Sequence, residues 1–179
     1  MQITGSGTNV AINRVRFNKG RDNNNGGALR INSGNSVALT SCIFSGNTTI
    51  VSDAWGGAIF TQGTLTATAC TFYNNSTYQG GAIYVQNGVT TLTGNVFYGN
   101  TASNNGHTVY RSSGRVTSGG YNVWDKDSYN FTFDTTGDEQ YPTGEMFDIT
   151  TFLPTAPVLF RVPSSMSGDR KSTRLNSSH

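Results

Sequence analysis

Three quartets, Gly26-Gly27-Ala28-Leu29, Gly56-Gly57-Ala58-Ile59 and Gly80-Gly81-Ala82-Ile83, decide how this chain is read. Each opens a unit that a Phe-x-x-Asn segment closes, at residues 44–47, 72–75 and 97–100. An earlier, partial unit closes at Phe17, and a degraded one opens at Gly106. The closing segments align as NVAINRVRF, SVALTSCIF, TLTATACTF and VTTLTGNVF, with their phenylalanines 27, 28 and 25 residues apart. A fixed period of this length is the signature of a repeat architecture, and it takes precedence over local propensity.

Within the aligned segments Val10, Val37, Leu65 and Thr90 form one column, and Ile12, Leu39, Ala67 and Leu92 the next. Both alternate with polar residues at period two, which is the pattern of a strand with one apolar face. The alternation breaks at Arg14, Ser41, Ala69 and Gly94, then resumes with Val15, Cys42, Cys70 and Asn95 ahead of the Phe column. Each repeat therefore turns corners and holds three short strands. A unit this small cannot bury its own apolar face, so it is stable only when stacked on copies of itself. The fold expected is all-β: a single-stranded parallel β-helix of about 4–5 coils, followed by an irregular C-terminal segment. Coils spaced about 4.8 Å apart put equivalent residues in ladders. Phe17, Phe44, Phe72 and Phe97 are expected to stack inside, and Asn47, Asn75 and Asn100 to form an amide ladder at the closing corner. The paired glycines allow tight backbone geometry or close approach between coils.

GGAL, GGAI and GGAI alternating with FSGN, FYNN and FYGN resemble the GGA[ILV] and FxxN repeats of the chlamydial polymorphic outer-membrane proteins and related bacterial β-helix proteins. The resemblance covers residues 1 to about 124. It implies a right-handed helix, a location on the extracellular or outer-membrane surface of a bacterium, and a role in adhesion. The repeat degrades at both ends: Gly20 stands where a corner Asn belongs, Gly106-His107-Thr108-Val109 replaces GGAI, and Arg111 falls in an inward column.

Three regions follow: 1–124 as β-helix repeats truncated at the N-terminus, 125–168 as an irregular cap or tail, and 169–179 as a non-native tail. Met1 falls inside a recognisable coil, so an N-terminal cap and signal peptide are expected to precede it. Uncapped solenoid ends expose strand edges, so the chain is expected to aggregate or bind itself. After Trp124 acidic residues and four prolines dominate, and short strands such as 131–133 and 158–162 are candidates to pack on the solenoid as a terminal cap. The last eleven residues, DRKSTRLNSSH, resemble the translation of a common sequencing-adapter DNA and are set aside from fold reasoning.

Charge is scarce: 12% of residues are Asp, Glu, Lys or Arg, against 25 Thr, 19 Asn and 18 Ser. Without Asp169, Arg170, Lys171 and Arg174 the formal net charge of +2 falls to zero, which removes the argument for a nucleic acid or anionic membrane surface as partner. No apolar run approaches the ~20 residues of a spanning helix, so no membrane insertion is expected of this chain. Two cysteines and two histidines cannot build a disulfide framework or a Cys/His zinc site. Cys42 and Cys70 share one inward column; they are read as small apolar fillers, with a bridge between them as the alternative.

β-helices also carry pectin-degrading enzymes, which need clustered carboxylates and a basic residue. Between Gly26 and Asn105 the only charged residues are Arg30 and Asp53, so no catalytic residue is assigned. Arg30, Phe60, Tyr84 and Tyr110 follow the inward apolar residue of each quartet, and alternation puts them on the outer face as an exposed ladder able to stack sugars or meet a protein; the structural alternative is that they stabilise the sheet. The long loop TTIVSDAW places Asp53 and Trp55 where a contact, or a packing anchor, is expected. Asp125, Asp127, Asp134 and Asp138 offer oxygen ligands suited to calcium but lack the spacing of a dedicated loop, and no metal or cofactor is assigned. Asn-x-Ser/Thr triplets begin at Asn47, Asn75 and Asn130, among others, as a chain this rich in Asn and Thr produces by chance. The reading is a non-catalytic surface or secreted protein acting as adhesin or structural spacer, with a cell-surface protein or glycan as partner. The alternatives are a polysaccharide-binding module and a piece of a pectin-lyase-like enzyme.

Overall fold

In strand Ser36–Thr40 the side chains of Val37 and Leu39 are buried and those of Ala38 and Thr40 exposed, and Thr64–Thr68 repeats the pattern with Leu65 and Ala67. Pairing two such strands in register buries both apolar faces on one side, and the two strands run parallel with Val37 opposite Leu65 and Leu39 opposite Ala67. The same register continues down to Val10 and Ile12 and up to Thr90 and Leu92. The structure, a computed structural model, describes residues 1–141, and every regular element among them is a strand.

Each turn of the chain contributes one strand to each of four parallel sheets. One complete coil runs Ile83–Val85, Val89–Thr93, Val96–Tyr98 and Thr101–Asn105. The first two sheets hold five strands, the third six and the fourth four. The protein is therefore a parallel β-solenoid of about five turns. The fourth strand of each coil was not expected. Thr48–Thr49, Ser76–Gln79 and Thr101–Asn105 carry almost no apolar alternation and bury only Thr49 and Ala102, so the sequence pattern did not reveal them as strands.

The corners are columns of left-handed backbone. Arg14, Ser41, Ala69, Gly94 and Tyr121 have φ of 56°, 53°, 53°, 62° and 60°. Each sits where the alternation breaks, and the reversal of parity is the consequence of one left-handed residue in an otherwise extended chain. Inside these corners the rings of Phe17, Phe44, Phe72 and Phe97 stack at 4.7, 5.0 and 4.8 Å and lie within 9° of parallel. Such pairs add about 0.5–1.5 kcal/mol each beyond the apolar area they bury.

The two glycines of each quartet have different causes. Gly26, Gly56, Gly80 and Gly106 have φ between 67° and 81°, which only glycine adopts freely. The second glycine meets the neighbouring coil: a Cβ on Gly57 would lie 2.2 Å from the carbonyl oxygen of Gly81, and one on Gly81 would lie 2.3 Å from that of His107. His107 takes this second position in the last quartet, and instead of a further GGA[ILV] coil it meets Asp127 at 2.6 Å. The altered motif opens the last coil, whose strands Val109–Arg111, Arg115–Ser118 and Val123–Trp124 still pair in register with the coil before it.

The end of the solenoid is closed by its own chain. Trp124 takes the Phe column opposite Phe97, and Phe133 packs on both, with ring centroids at 4.5 Å from Trp124 and 5.7 Å from Phe97. Phe131 meets Phe133 edge-on. Residues 131–133 thus pack on the end of the core through Phe131 and Phe133, as an irregular segment and not the strand expected. Glu139–Gln140 then pairs with Val123–Trp124, adding a sixth strand to the third sheet, so packing continues past residue 124. Residues 158–162 and the tail at 169–179 lie outside the described residues.

Candidate functional site

The outer face of the first sheet gathers the residues singled out from the sequence. Arg30 pairs with Phe60, Phe60 with Tyr84, and Tyr84 with Tyr110. The Arg30 guanidinium carbon lies 5.5 Å from the Phe60 ring centre. Phe60–Tyr84 and Tyr84–Tyr110 centroids are 5.7 and 4.8 Å apart. The ladder has a rung the sequence did not reveal: Tyr129, after the last quartet, bridges Tyr110 with its ring at 4.6 Å.

The ladder is not exposed as expected. Phe60 is 1% and Tyr84 4% accessible, while Arg30 and Tyr110 are half-buried. The cover is Trp55, which stacks at 5.0 Å on Tyr84 and 6.2 Å on Phe60. Its backbone N–H is held by Asn25 Oδ1 at 2.8 Å, and it bridges Gln79 in the next coil. The loop of residues 48–55 thus folds its tail back over the sheet and leaves Ile50, Val51 and Asp53 exposed at its tip. Alternation reports which face of a strand a side chain takes; it carries no information about a loop that covers that face. Trp55 is accordingly a packing anchor. Burial and the neighbouring Tyr84 and Tyr129 hydroxyls raise the Tyr110 phenol above its ordinary pKa.

The amide ladder is fully formed and fully buried. Asn75 Oδ1 accepts from the Asn47 backbone N–H and from Asn47 Nδ2, and Asn100 does the same for Asn75. Each Nδ2 also donates to the carbonyl of the Phe one coil back, at 2.9–3.1 Å. Gly20 breaks the column of side chains but keeps its bond, donating its N–H to Asn47 Oδ1. These bonds occupy Asn47 and Asn75 in the interior, so neither is an accessible glycosylation acceptor.

A second ladder was not foreseen. In the column of Cys42 and Cys70, Asn95 Oδ1 accepts from the Cys70 N–H, Asn122 Oδ1 from both nitrogens of Asn95, and Asp138 Oδ1 from both nitrogens of Asn122. Asp138 Oδ2 accepts from the Ser118 hydroxyl and the Thr135 N–H. Only the spacing of Asn95 and Asn122 could have signalled it. Cys42 and Cys70 are both free and buried, and burial pushes the Cys70 thiol up to about 11.

The four aspartates do not converge. Asp138 caps the second ladder, Asp127 pairs with His107, and Asp125 accepts the Gly99 N–H at 2.8 Å. Asp134 is exposed. Among the described residues no group of three or more His, Cys, Asp or Glu side chains is placed to hold a metal ion. The cap instead leaves a cavity of about 360 Å³ over the last coil, between Arg111, Val116 and Ser118 on one side and Asn130, Phe131 and Asp134 on the other.

The Chlamydia polymorphic membrane protein (Chlamydia_PMP) repeat model matches residues 41–62 and 69–86. The chain is a β-helix resembling the chlamydial polymorphic membrane proteins. Each matched segment contains one closing Phe-x-x-Asn and the Gly-Gly-Ala-Ile quartet after it, so the matched repeat is the unit built around one rung of the amide ladder and one close glycine contact. No curated protein and no solved structure matches the chain.

Proposed function

We propose that this chain is the solenoid of a bacterial surface or outer-membrane protein, that it is non-catalytic, and that it acts as an adhesin or as the spacer that carries one. The polymorphic membrane protein repeat within it supports the surface location. One observation carries the non-catalytic reading: the aspartates, the histidine and the thiols that chemistry would draw on are, apart from the isolated, exposed Asp53 and Asp134, spent on structural contacts among the described residues. The carboxylates of Asp125 and Asp138 bond backbone N–H groups, Asp127 and His107 hold each other, and both thiols are buried.

Stacking of a sugar on Phe60 or Tyr84 does not follow from this geometry, because Trp55 lies against both rings. External protease applied to intact cells of the source bacterium tests the location: the chain should be digested while cytoplasmic markers survive, and protection would overturn the surface reading. Saturable binding of purified chain to cells separates adhesin from spacer. Release of reducing or unsaturated sugar from a polysaccharide would overturn the non-catalytic reading.

A further inference from the structure

The zero charge of residues 1–168 conceals an uneven distribution. Arg14, Arg16, Lys19 and Arg21 fall within eight residues of one coil, and all four are exposed. Among the described residues the one ion pair is His107–Asp127, so no described carboxylate contacts any of the four. The nearest acid in sequence, Asp22, spends Oδ1 on the Asn24 N–H at 2.7 Å. The coils above carry almost nothing to offset them: from Ile31 to Asn105 the single charged residue is Asp53.

The fold spreads these cations around a corner. Arg16 projects outward in Arg16–Asn18, the strand whose Phe17 points into the core, and its Nε reaches Ser45 Oγ, which in turn donates to Asn18 Oδ1. Arg14 and Lys19 are the left-handed corner residues on either side of that strand. Arg21 lies on the next face, in Arg21–Asp22, opposite Thr48. Outward direction, set by strand parity and the two corners, therefore exposes the basic side chains.

We propose that this basic coil is a docking site for a linear polysaccharide bearing sulfate or carboxylate groups. The proposal rests on the adhesin reading and names its ligand class. Guanidinium forks match planar or tetrahedral oxyanions in bidentate fashion. A flexible chain can follow cations around a corner, whereas a flat anionic bilayer meets one face at a time. Duplex DNA is stiff over about 150 base pairs and does not wrap a single coil without a deformation cost. The patch also lacks the aromatic platforms on which single-stranded bases stack.

The test uses the full chain in an Arg170→Gln, Lys171→Gln, Arg174→Gln background, so that the basic tail contributes nothing. Heparin, polygalacturonate, neutral dextran and a 20-base-pair duplex are titrated at 150 mM salt. The charged polysaccharides should bind and dextran should not. Arg16→Gln, Lys19→Gln, Arg21→Gln should weaken binding at least tenfold and flatten the salt dependence of log K by up to about one per contact removed, with an unchanged circular dichroism spectrum. No binding of either polyanionic polysaccharide, an unaffected triple variant, or duplex DNA bound as tightly would each overturn the proposal. Cell binding measured in parallel separates the two readings: a triple variant that binds cells like the parent refutes this ligand and leaves the adhesin standing, whereas a parent that binds no cells refutes the adhesin.

Discussion

Asn75 holds Asn47 twice: its side-chain oxygen accepts the Asn47 backbone N–H at 3.0 Å and the Asn47 side-chain Nδ2 at 2.8 Å. One amide thus satisfies two buried donors in the neighbouring coil while its own Nδ2 satisfies Phe44 O. Replacing Asn75 by Ala leaves the Asn47 backbone N–H without its partner, removes one of the two acceptors of Asn47 Nδ2 and takes a donor from Phe44 O, at a site with no accessible surface. Each buried unsatisfied donor costs about 1–3 kcal/mol, so Asn75→Ala, which strips the backbone N–H and one side-chain N–H of Asn47, should lose about 2 kcal/mol or more. Urea unfolding measures it; a loss below about 1 kcal/mol would show that the ladder does not hold the coils.

The second glycine of each quartet is set by contact and not by backbone conformation. Gly57→Ala should lose about 3 kcal/mol or more, because its Cβ would lie 2.2 Å from a backbone oxygen that cannot move without shifting the next coil. The corner column gives the opposite sign. Ala69 sits at φ 53°, where an L-residue pays about 1–2 kcal/mol that glycine does not. Part of that is returned by the greater freedom of glycine in the unfolded chain, leaving Ala69→Gly more stable by about 0.5–1 kcal/mol. A shift of both variants in the same direction would contradict this assignment of the two glycine roles.

The Phe ladder, the Asn ladder and the corners were legible because each is written as a column of identical or similar residues at the repeat period. What the sequence did not show follows from interactions outside that period. Tyr129 joins the aromatic ladder from the irregular cap, and Asp138 ends the second amide ladder from beyond the last coil. Trp55 lies on an insertion that breaks the period, so nothing in the columns indicates that it closes over Phe60 and Tyr84. The basic coil was hidden by summing charge over all the coils at once.

Trp55→Ala removes the cover from the aromatic face. Loss of a large ring stacked on two others should cost about 3 kcal/mol and leave Phe60 and Tyr84 open to solvent. Binding of a hydrophobic dye to the folded variant, absent in the parent, reports the exposure; an unchanged melting temperature would mean that the loop does not anchor there.

Burial holds the Cys70 thiol near 11, above the 9.0 of a free thiol. The native state then keeps its proton where the unfolded state has lost it, so stability is full below pH 9 and falls as pH rises from about 9 to about 11. A single group contributes at most about 1.4 kcal/mol per pH unit to that slope. Cys70→Ala should remove this component of the alkaline decline. Two free thiols should be counted in denaturant without reductant; none would show a disulfide and contradict the free pair.

The central claim is that successive coils stack in register, and the Phe column tests it most directly. In a nuclear Overhauser spectrum with labelled phenylalanine, Phe44 should show ring-to-ring contacts with Phe17 and Phe72, and Phe72 with Phe97, as centroid spacings of 4.7–5.0 Å require. Phe44 and Phe97, two coils apart, should show none. Absence of the neighbouring contacts, or a direct Phe44–Phe97 contact, would contradict the solenoid.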